Sequence, residues 1–346
     1  MYWWARFESW PLHSLAAYMT HDVLTFGEVM VRLTPPHFQR LEQARSLDVE
    51  IGGAELNTAA GLARLGRSVA WVSRLPANPL GQLVANRVRE IGVSDQFVQF
   101  AADGRCGLYF LELGASPRAS SILYDRADSA IARISPGMFD WPAIVSQAKW
   151  FHVTGITAAL SRGAAEAVTE ALTAAKAKGL TVSVDLNFRA KLWSLEQAAK
   201  TMGKLLTLCD VLIASEADAE HLFGITGDDF TEVARGLIER FGVNTVVSTR
   251  REANLVWKNR FAAIAYSAGT TLESPWYEVE IVDRLGAGDA LAAGLIHGLL
   301  DGDLKKGLDY GAAMGALKHT IPGDLPWITR DEVEAVLQGQ GLRVRR

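Results

Sequence analysis

Short apolar runs alternate with segments of helical period along most of the chain, and this alternation is the strongest constraint on its fold. The strand-like runs are VLTFGEVMV (23–31), SVAWVSRL (68–75), LTVSVDLN (180–187), DVLIAS (210–215) and NTVVST (244–249). Repeated strand–helix units predict a parallel sheet with helices on both faces.

Capping signals mark where two of the helices begin. Ser194 with Gln197, and Thr329 with Glu332, match the capping box, in which side chains at the helix start and three residues later bond each other's backbone. Residues 54–65 carry apolar side chains at helical spacing. These signals predict helices directly after positions 53, 194 and 329.

Two segments interrupt the strand–helix rhythm. Residues 104–126 read as two strands joined by a turn, and residues 30–51 read as extended. We therefore expect one α/β domain over 21–340, with these two segments forming a small β-sheet lid. Residues 1–20 lack the pattern of a signal peptide and are interpreted as an extension, either disordered or the result of a misassigned start.

Composition excludes several classes of function. A formal net charge of −4 over 346 residues offers no basic field for nucleic acid. No run approaches the ~20 apolar residues of a membrane-spanning helix, so no membrane partner is expected. The two cysteines, Cys106 and Cys209, argue against a disulfide scaffold and favour a reducing compartment, the cytoplasm, with both thiols as small buried side chains.

The stretch VDRLGAGDALAAGLIHGLL (282–300) reads as a short apolar strand, a glycine turn and a helix. Gly286 and Gly288 allow a tight turn, and the N–H groups of the helix start would then point outward as an anion hole. The anion-hole residues are Gly286, Ala287 and Gly288. Asp289 is placed to take a proton from an attacking hydroxyl, and nearby phosphates would require a metal. For these four residues alone, the simpler interpretation is a glycine turn with an Asp N-cap.

Motifs of other nucleotide-binding classes are missing from the sequence. It contains no GxxxxGK[ST] loop, no GxGxxG after the first strand and no protein-kinase motif set. Seven histidines and two cysteines show no metal-ligand spacing. His297 is interpreted as a packing residue of its helix.

Two separated motifs together indicate a family. GGAELNTAAGLARLG (52–66) and VDRLGAGDALAAGL (282–295) resemble the two signatures of the PfkB, or ribokinase-like, carbohydrate kinases, and the resemblance runs from about Val23 to the final helix. It implies a three-layer α/β/α sandwich with a mostly parallel central sheet and a β lid. It also implies ATP and Mg²⁺ as cofactors, and transfer of the γ-phosphoryl to a sugar hydroxyl with Asp289 as base. A monovalent cation is a further cofactor compatible with the resemblance.

Residues 52–57 offer groups suited to a polyol. Gly52 and Gly53 would admit a sugar close to the backbone. Asn57, one turn into the helix, can both donate and accept hydrogen bonds. A polar residue near a helix start is the alternative interpretation of Asn57.

Two arginine positions indicate an acidic substrate, since a guanidinium can hold a carboxylate with two hydrogen bonds. Arg189 follows a buried strand, and ligands bind beyond the carboxyl ends of parallel strands. Tyr124 and Arg126 end the second lid strand and share one side at period two. A surface charge or a structural ion pair is an equally good interpretation of each arginine.

Four segments, GLYFLE, LYDRADSAIA, DLNFRAKLW and LPWIT, together resemble the 2-keto-3-deoxygluconate kinase subgroup. Carried over by position, the resemblance implies that the sugar acid is held by Tyr109, Tyr124, Arg126, Asn187 and Arg189. The implied reaction is ATP-dependent phosphorylation of the terminal hydroxyl of 2-keto-3-deoxygluconate, in Entner–Doudoroff or uronate catabolism. Gluconate-derived and galactonate-derived acids are not distinguished.

The nucleotide side departs from the family pattern. The N-x-x-E motif is replaced by Ser215-Glu-Ala-Asp218, which keeps an acid for Mg²⁺, through water, but lacks the amide. STRREANLVW (248–257) replaces the G-x-x-G segment. One interpretation is that Arg250 or Arg251 binds ATP phosphates, and the alternative is a solvated basic turn. The expected nucleotide-binding residues are Ser215, Asp218, Thr249, Arg250, Gly286 and Gly288.

Two other functions remain open at this point. One is a neutral-sugar kinase such as a fructokinase. The other is a non-catalytic sugar sensor, which the altered N-x-x-E motif supports and the intact Asp289 opposes. Exposed edges of a lid sheet invite pairing, so a homo-oligomer, a dimer or larger, is the expected state.

Overall fold

The computed structural model describes residues 21–253 and 258–340, so the predicted extension over 1–20 lies outside the described residues. The strands are β1 His21–Phe26, β2 Met30–Thr34, β3 Asp48–Gly52, β4 Val69–Pro76, β5 Ser94–Ala101, β6 Gly107–Glu112, β7 Ser121–Asp125, β8 Ala148–Thr154, β9 Thr181–Asp185, β10 Val211–Ile213, β11 Thr245–Ala253, β12 Lys258–Ser267, β13 Thr270–Glu273 and β14 Tyr277–Glu280. The helices are α1 Ala54–Arg64, α2 Pro79–Glu90, α3 Trp141–Val145, α4 Gly155–Ala159, α5 Arg162–Ala177, α6 Leu195–Leu206, α7 Glu216–Phe223, α8 Phe230–Phe241, α9 Ala287–Leu300, α10 Leu304–Lys318 and α11 Arg330–Leu337.

The larger sheet is mostly parallel. Within the described residues it has ten strands in the order β13-β12-β11-β10-β9-β8-β1-β4-β5, and β14 also pairs with β12. Every neighbouring pair from β11 to β5 is parallel, whereas β12 is antiparallel to β11, β13 and β14. One hydrophobic cluster includes α1, α2 and α9–α11, and a second includes α3 and α5–α8. Each covers one face of the sheet, so the predicted three-layer sandwich is confirmed.

A separate four-stranded sheet, the lid, has the order β3-β2-β6-β7. Its strands come from the two segments that interrupt the strand–helix rhythm. The prediction of one continuous strand over 23–31 is wrong, because β1 belongs to the main sheet and β2 to the lid. The chain leaves the main sheet at Gly27, where a Cβ would lie 2.1 Å from Glu55 Oε2, and Ser73 Oγ donates to Gly27 O (2.7 Å).

The strand predicted at the start of 282–300 is also wrong, because β14 ends at Glu280. The Asp283 carboxylate accepts from Leu285 N (3.0 Å) and Gly323 N (3.1 Å), and these bonds turn the chain toward α9. Both predicted capping boxes are present, at Ser194 and Thr329. Each cap contributes about 1 kcal/mol to helix stability.

Helix α9 is fixed by unusually close packing on α10. A Cβ on Gly294 would lie 2.4 Å from Gly311 N, and one on Gly298 would lie 2.1 Å from Gly307 N. Because the two backbones touch, the axis of α9 and hence its N-terminus are set within narrow limits. No helix in the described part of the chain is both long and apolar enough to cross a bilayer.

Candidate active site

A cavity of about 830 Å³ lies between the lid and the carboxyl ends of β1, β8 and β9. Parallel α/β sheets place ligand sites at this end of their strands. Ten of the sequence-predicted residues line it: Gly52, Gly53, Asn57, Tyr109, Tyr124, Arg126, Asn187, Arg189, Gly286 and Asp289. Segments far apart in the sequence therefore meet around one space.

The glycine turn presents the N-terminus of α9 to this cavity. Gly286 is the N-cap residue, with φ +81°, and makes no side-chain cap, while α9 begins at Ala287. The N–H groups of Ala287, Gly288 and Asp289 precede the first intrahelical donor, Ala290 N, which bonds Gly286 O at 2.8 Å. They are thus available to an anion at the positive end of the helix dipole.

Asp289 is not an N-cap, so that interpretation is wrong. It lies in the first turn of α9, and its Oδ2 accepts a hydrogen bond from Asn57 Nδ2 at 2.7 Å. Loss of hydration raises the pKa of Asp289 to about 6, and the negative charge of Asp324 acts in the same direction. The hydrogen bond from Asn57 and the positive charges of Arg189 and Lys318 oppose this rise. The result is a carboxylate that is ionised at neutral pH and basic enough to accept a proton.

The glycines at 52 and 53 are required by the protein itself. A Cβ on Gly53 would lie 2.0 Å from Glu28 O, and one on Gly52 would lie 2.2 Å from Asp324 Oδ2. Both still line the cavity, so their backbone is open to a ligand on the other side.

Two of the lid residues are engaged with the protein. Tyr109 is 3% exposed, and its hydroxyl donates to Asp324 Oδ1 (2.6 Å). Arg126 forms an ion pair with the buried carboxylate of Glu28, to which its Nε donates at 2.9 Å. The Arg126 guanidinium carbon also lies 5.7 Å from the ring centre of Tyr124. The structural ion-pair interpretation therefore applies to Arg126, although the residue also faces the cavity.

Arg189 differs from Arg126 because no ion-pair partner for it is found among the described residues. It follows Asp185, whose pKa is raised to about 7, first by loss of hydration and then by the charge of Asp289. Asp185 Oδ1 accepts from Asn187 N (3.1 Å), and Asn187 has φ +38°, a region that asparagine tolerates. This turn directs the 187–192 segment along the cavity wall.

The predicted nucleotide residues lie outside this cavity, apart from Gly286. Ser215 caps α7 by accepting from Asp218 N (3.0 Å), and Asp218 is close enough to Asp185 to raise the pKa of that carboxyl. Arg250 bonds Glu273 (2.8 Å) across the antiparallel edge of the sheet. The next strand residue, Arg251, projects to the opposite face. Burial and then the positive charges of Arg284 and Arg189 lower its pKa, and the charges of Asp185 and Asp289 oppose this.

The sequence interpretation missed a buried charge cluster beneath the glycine turn. Arg32 of the lid bonds Asp283 (2.6 Å) and Asp324 (2.8 Å), and Lys318 is fully buried nearby. Arg32 and Asp324 are 292 positions apart. No local pattern links them, although a charged residue inside an apolar strand, as at Arg32, is a signal for a buried pair.

A parallel-sheet sandwich with a lid, and a carboxylate beside the N–H groups of a helix start, are the features of a sugar kinase of the ribokinase-like class. The sequence profile of the pfkB family of carbohydrate kinases matches residues 20–326. The chain belongs to this family, and the predicted resemblance is confirmed.

Individual relatives agree with this assignment. The chain is 41% identical to a 2-dehydro-3-deoxygalactonokinase of Haloferax volcanii over 93% of this chain and 98% of the relative. It is 28% identical to a 2-dehydro-3-deoxygluconokinase of Bacillus subtilis, covering 93% and 97%. The crystal structure of a 2-dehydro-3-deoxygluconokinase from Thermotoga maritima matches with a TM-score of 0.89 and 41% identity, over 92% of this chain and all of the other.

Proposed function

We propose that this sugar kinase phosphorylates the terminal hydroxyl of a 2-keto-3-deoxy sugar acid of the gluconate or galactonate series, with ATP as the phosphoryl donor. The observation that carries the proposal is that one cavity is lined by the carboxylate of Asp289 and by Arg189, a cation with no ion-pair partner among the described residues. A guanidinium is suited to a carboxylate, whereas a neutral sugar has no group that requires one. The names of the relatives support the same substrate class.

In this proposal each residue of the site has a separate role in the reaction. Asp289 accepts the proton of the attacking hydroxyl, and Asn57 orients its carboxylate. The N–H groups of Ala287 and Gly288 bind the transferring phosphoryl, whose charge the helix dipole stabilises. Arg189 holds the substrate carboxylate, so the opposite end of the sugar acid is presented to Asp289.

The acidic residues fit a Mg²⁺ that arrives with the nucleotide. No group of three or more ligand-type side chains close enough to hold a metal is found in the described ranges. Mg²⁺ commonly keeps several waters and takes one or two carboxylates together with substrate phosphates. Asp218 and Asp185 are the carboxylates available here, and the ion would neutralise phosphate charge. A monovalent cation stays a prediction, checked by comparing turnover in potassium and choline buffers.

A phosphorylation screen with matched acidic and neutral sugars tests the substrate class. We expect turnover of 2-keto-3-deoxygluconate, 2-keto-3-deoxygalactonate or both, and much weaker turnover of fructose. Arg189→Ala should raise KM for the acid about 10- to 100-fold, the equivalent of one or two charged hydrogen bonds. Arg126→Ala should affect stability more than KM, because Glu28 already engages that guanidinium.

The exposed Arg162→Ala is the matched control, since this side chain pairs with Glu166 on the surface of α5. A preference for fructose would show that the substrate is a neutral sugar, and an unchanged KM for the acid in Arg189→Ala would contradict the role proposed for Arg189. Sugar binding without ATP turnover at any Mg²⁺ concentration would instead indicate a sensor.

A further inference from the structure

Lys318, the last residue of α10, is a fully buried ammonium. Its Nζ donates to Ile321 O at 3.0 Å, and no carboxylate lies within ion-pair distance of it among the described residues. Removing an ammonium from water without a directly bonded anion is costly. A lysine in this position therefore calls for an explanation beyond the filling of space.

The stem of Lys318 packs against the glycine turn. A Cβ on Gly286 would lie 3.3 Å from Lys318 Cε, so the side chain runs directly beneath the residue that caps α9. The neighbouring backbone is tied to the same turn, because His319 O accepts from Val282 N (2.7 Å) and Asp283 N (3.1 Å). The ammonium is thus fixed relative to the N–H groups that open α9.

The charges around Lys318 are predominantly negative. Burial lowers the pKa of Lys318 from its usual value, and the guanidinium of Arg32 adds to this lowering. The carboxylates of Asp283, Asp324 and Asp289 attract the ammonium and oppose it. Arg32 already bonds two of these carboxylates directly, and Tyr109 bonds one of them, so the cluster is hydrogen-bonded without Lys318. With Lys318 removed, Arg32 and Arg189 would remain to balance the three carboxylates, at the site where a further anion, the transferring phosphoryl, binds in the proposed reaction.

We propose that Lys318 is a positioning residue whose fixed positive charge keeps the glycine turn favourable for an anion and keeps Asp289 ionised. The inference rests on the proposed phosphoryl transfer. Lys318 acts through the turn and does not touch the sugar, so its loss should lower kcat and leave the KM of the sugar nearly unchanged.

Lys318→Met tests this, because methionine fills a similar volume without charge. We expect kcat to fall about 10- to 100-fold, less than the loss of a direct oxyanion donor, with the sugar KM within about 3-fold of wild type. The acid limb of the pH profile should move upward, because a positive charge that lowers the pKa of Asp289 is gone. Lys305→Met is the matched control, since Lys305 lies on the same helix in an exposed pair with Asp309.

Lys318→Ala with added methylammonium provides a second test that does not depend on the methionine variant folding. A small ammonium ion should restore part of kcat, and tetramethylammonium, which is too bulky and donates no hydrogen bond, should not. An unmoved acid limb with kcat within about 3-fold of wild type, or no rescue in a folded alanine variant, would overturn the inference. All assays use a sugar that the wild type turns over, so a failure of the sugar-acid proposal would already show in the wild-type screen.

Discussion

Asp289→Asn separates the chemical role of this carboxylate from its effect on folding. The substitution keeps the side-chain shape, and the amide oxygen can still accept from Asn57 Nδ2. It removes the base, so kcat should fall by about 10²- to 10⁴-fold. It also removes a charge that the folded protein solvates poorly, since the pKa of Asp289 is raised from 3.8 to about 6.

The stability effect follows from linkage. A carboxyl group whose pKa is higher in the folded state binds its proton more tightly there, so the folded protein loses stability as the pH rises from the unfolded pKa through about 6. At pH 7 to 8 the charged form costs up to about 3 kcal/mol, because each pKa unit corresponds to ~1.4 kcal/mol. The free energy of unfolding of Asp289→Asn should therefore be about 1 to 3 kcal/mol higher than that of wild type at pH 8. This difference should shrink toward pH 4.

The assays are urea unfolding at pH 4.5 and pH 8, and kcat/KM from pH 5 to 8.5. The activity of wild type should be flat above pH 7 and, at pH 5, should be about one tenth of its plateau, as expected for a base of pKa about 6. Asp289→Asn should show a low activity without this acid limb. A variant that is less stable than wild type at pH 8 would refute the poor solvation of Asp289, and a variant that keeps most of its turnover would refute its role as base.

Three further predictions concern the frame around the site. Arg32→Met should destabilise the protein by about 3–5 kcal/mol, because it leaves Asp283 and Asp324 as buried carboxylates without a bonded cation. Chemical denaturation measures the free energy of unfolding, with Arg87→Met at an exposed ion pair as the control. Gly286→Ala should lower Tm and kcat together, since φ is +81° and the new Cβ would lie 2.1 Å from Asp324 O. If the lid mediates a dimer or larger oligomer, Leu123→Lys on β7, where Leu123 is 60% exposed, should lower the mass measured by light scattering and leave a folded protein.

The strand–helix frame could be predicted because it depends on local patterns. Neighbouring residues satisfy the backbone requirements of the short apolar runs, of the capping boxes at Ser194 and Thr329, and of the glycine turn. The break at Gly27 was not found in this way, although a glycine and a charged residue, Glu28, stand in the middle of VLTFGEVMV. What divides it is the close contact of Gly27 with Glu55, and that contact depends on the tertiary fold.

The site residues that belong to sequence motifs could be predicted. Those whose role depends on pairing with a distant charge could not. Asn57, Arg189 and Asp289 were found from their motifs, and the structure brings all three to one cavity. The pairing of Arg126 with Glu28 joins positions 98 apart, so the sequence gives no local sign of it. Lys318 ends an alanine- and glycine-rich helix, where a lysine has the pattern of an ordinary C-terminal charge.

Asp324 connects the lid to the reaction centre. Its carboxylate accepts from Arg32 of β2 and Tyr109 of β6, both lid strands, and lies over Gly52. Its backbone oxygen lies against Gly286, at the start of the anion hole. Because interiors are close-packed, a displacement of the lid would shift this residue, and with it the turn that presents the N–H groups. One buried residue therefore fixes the lid sheet relative to the N-terminus of α9, where we propose that the phosphoryl binds.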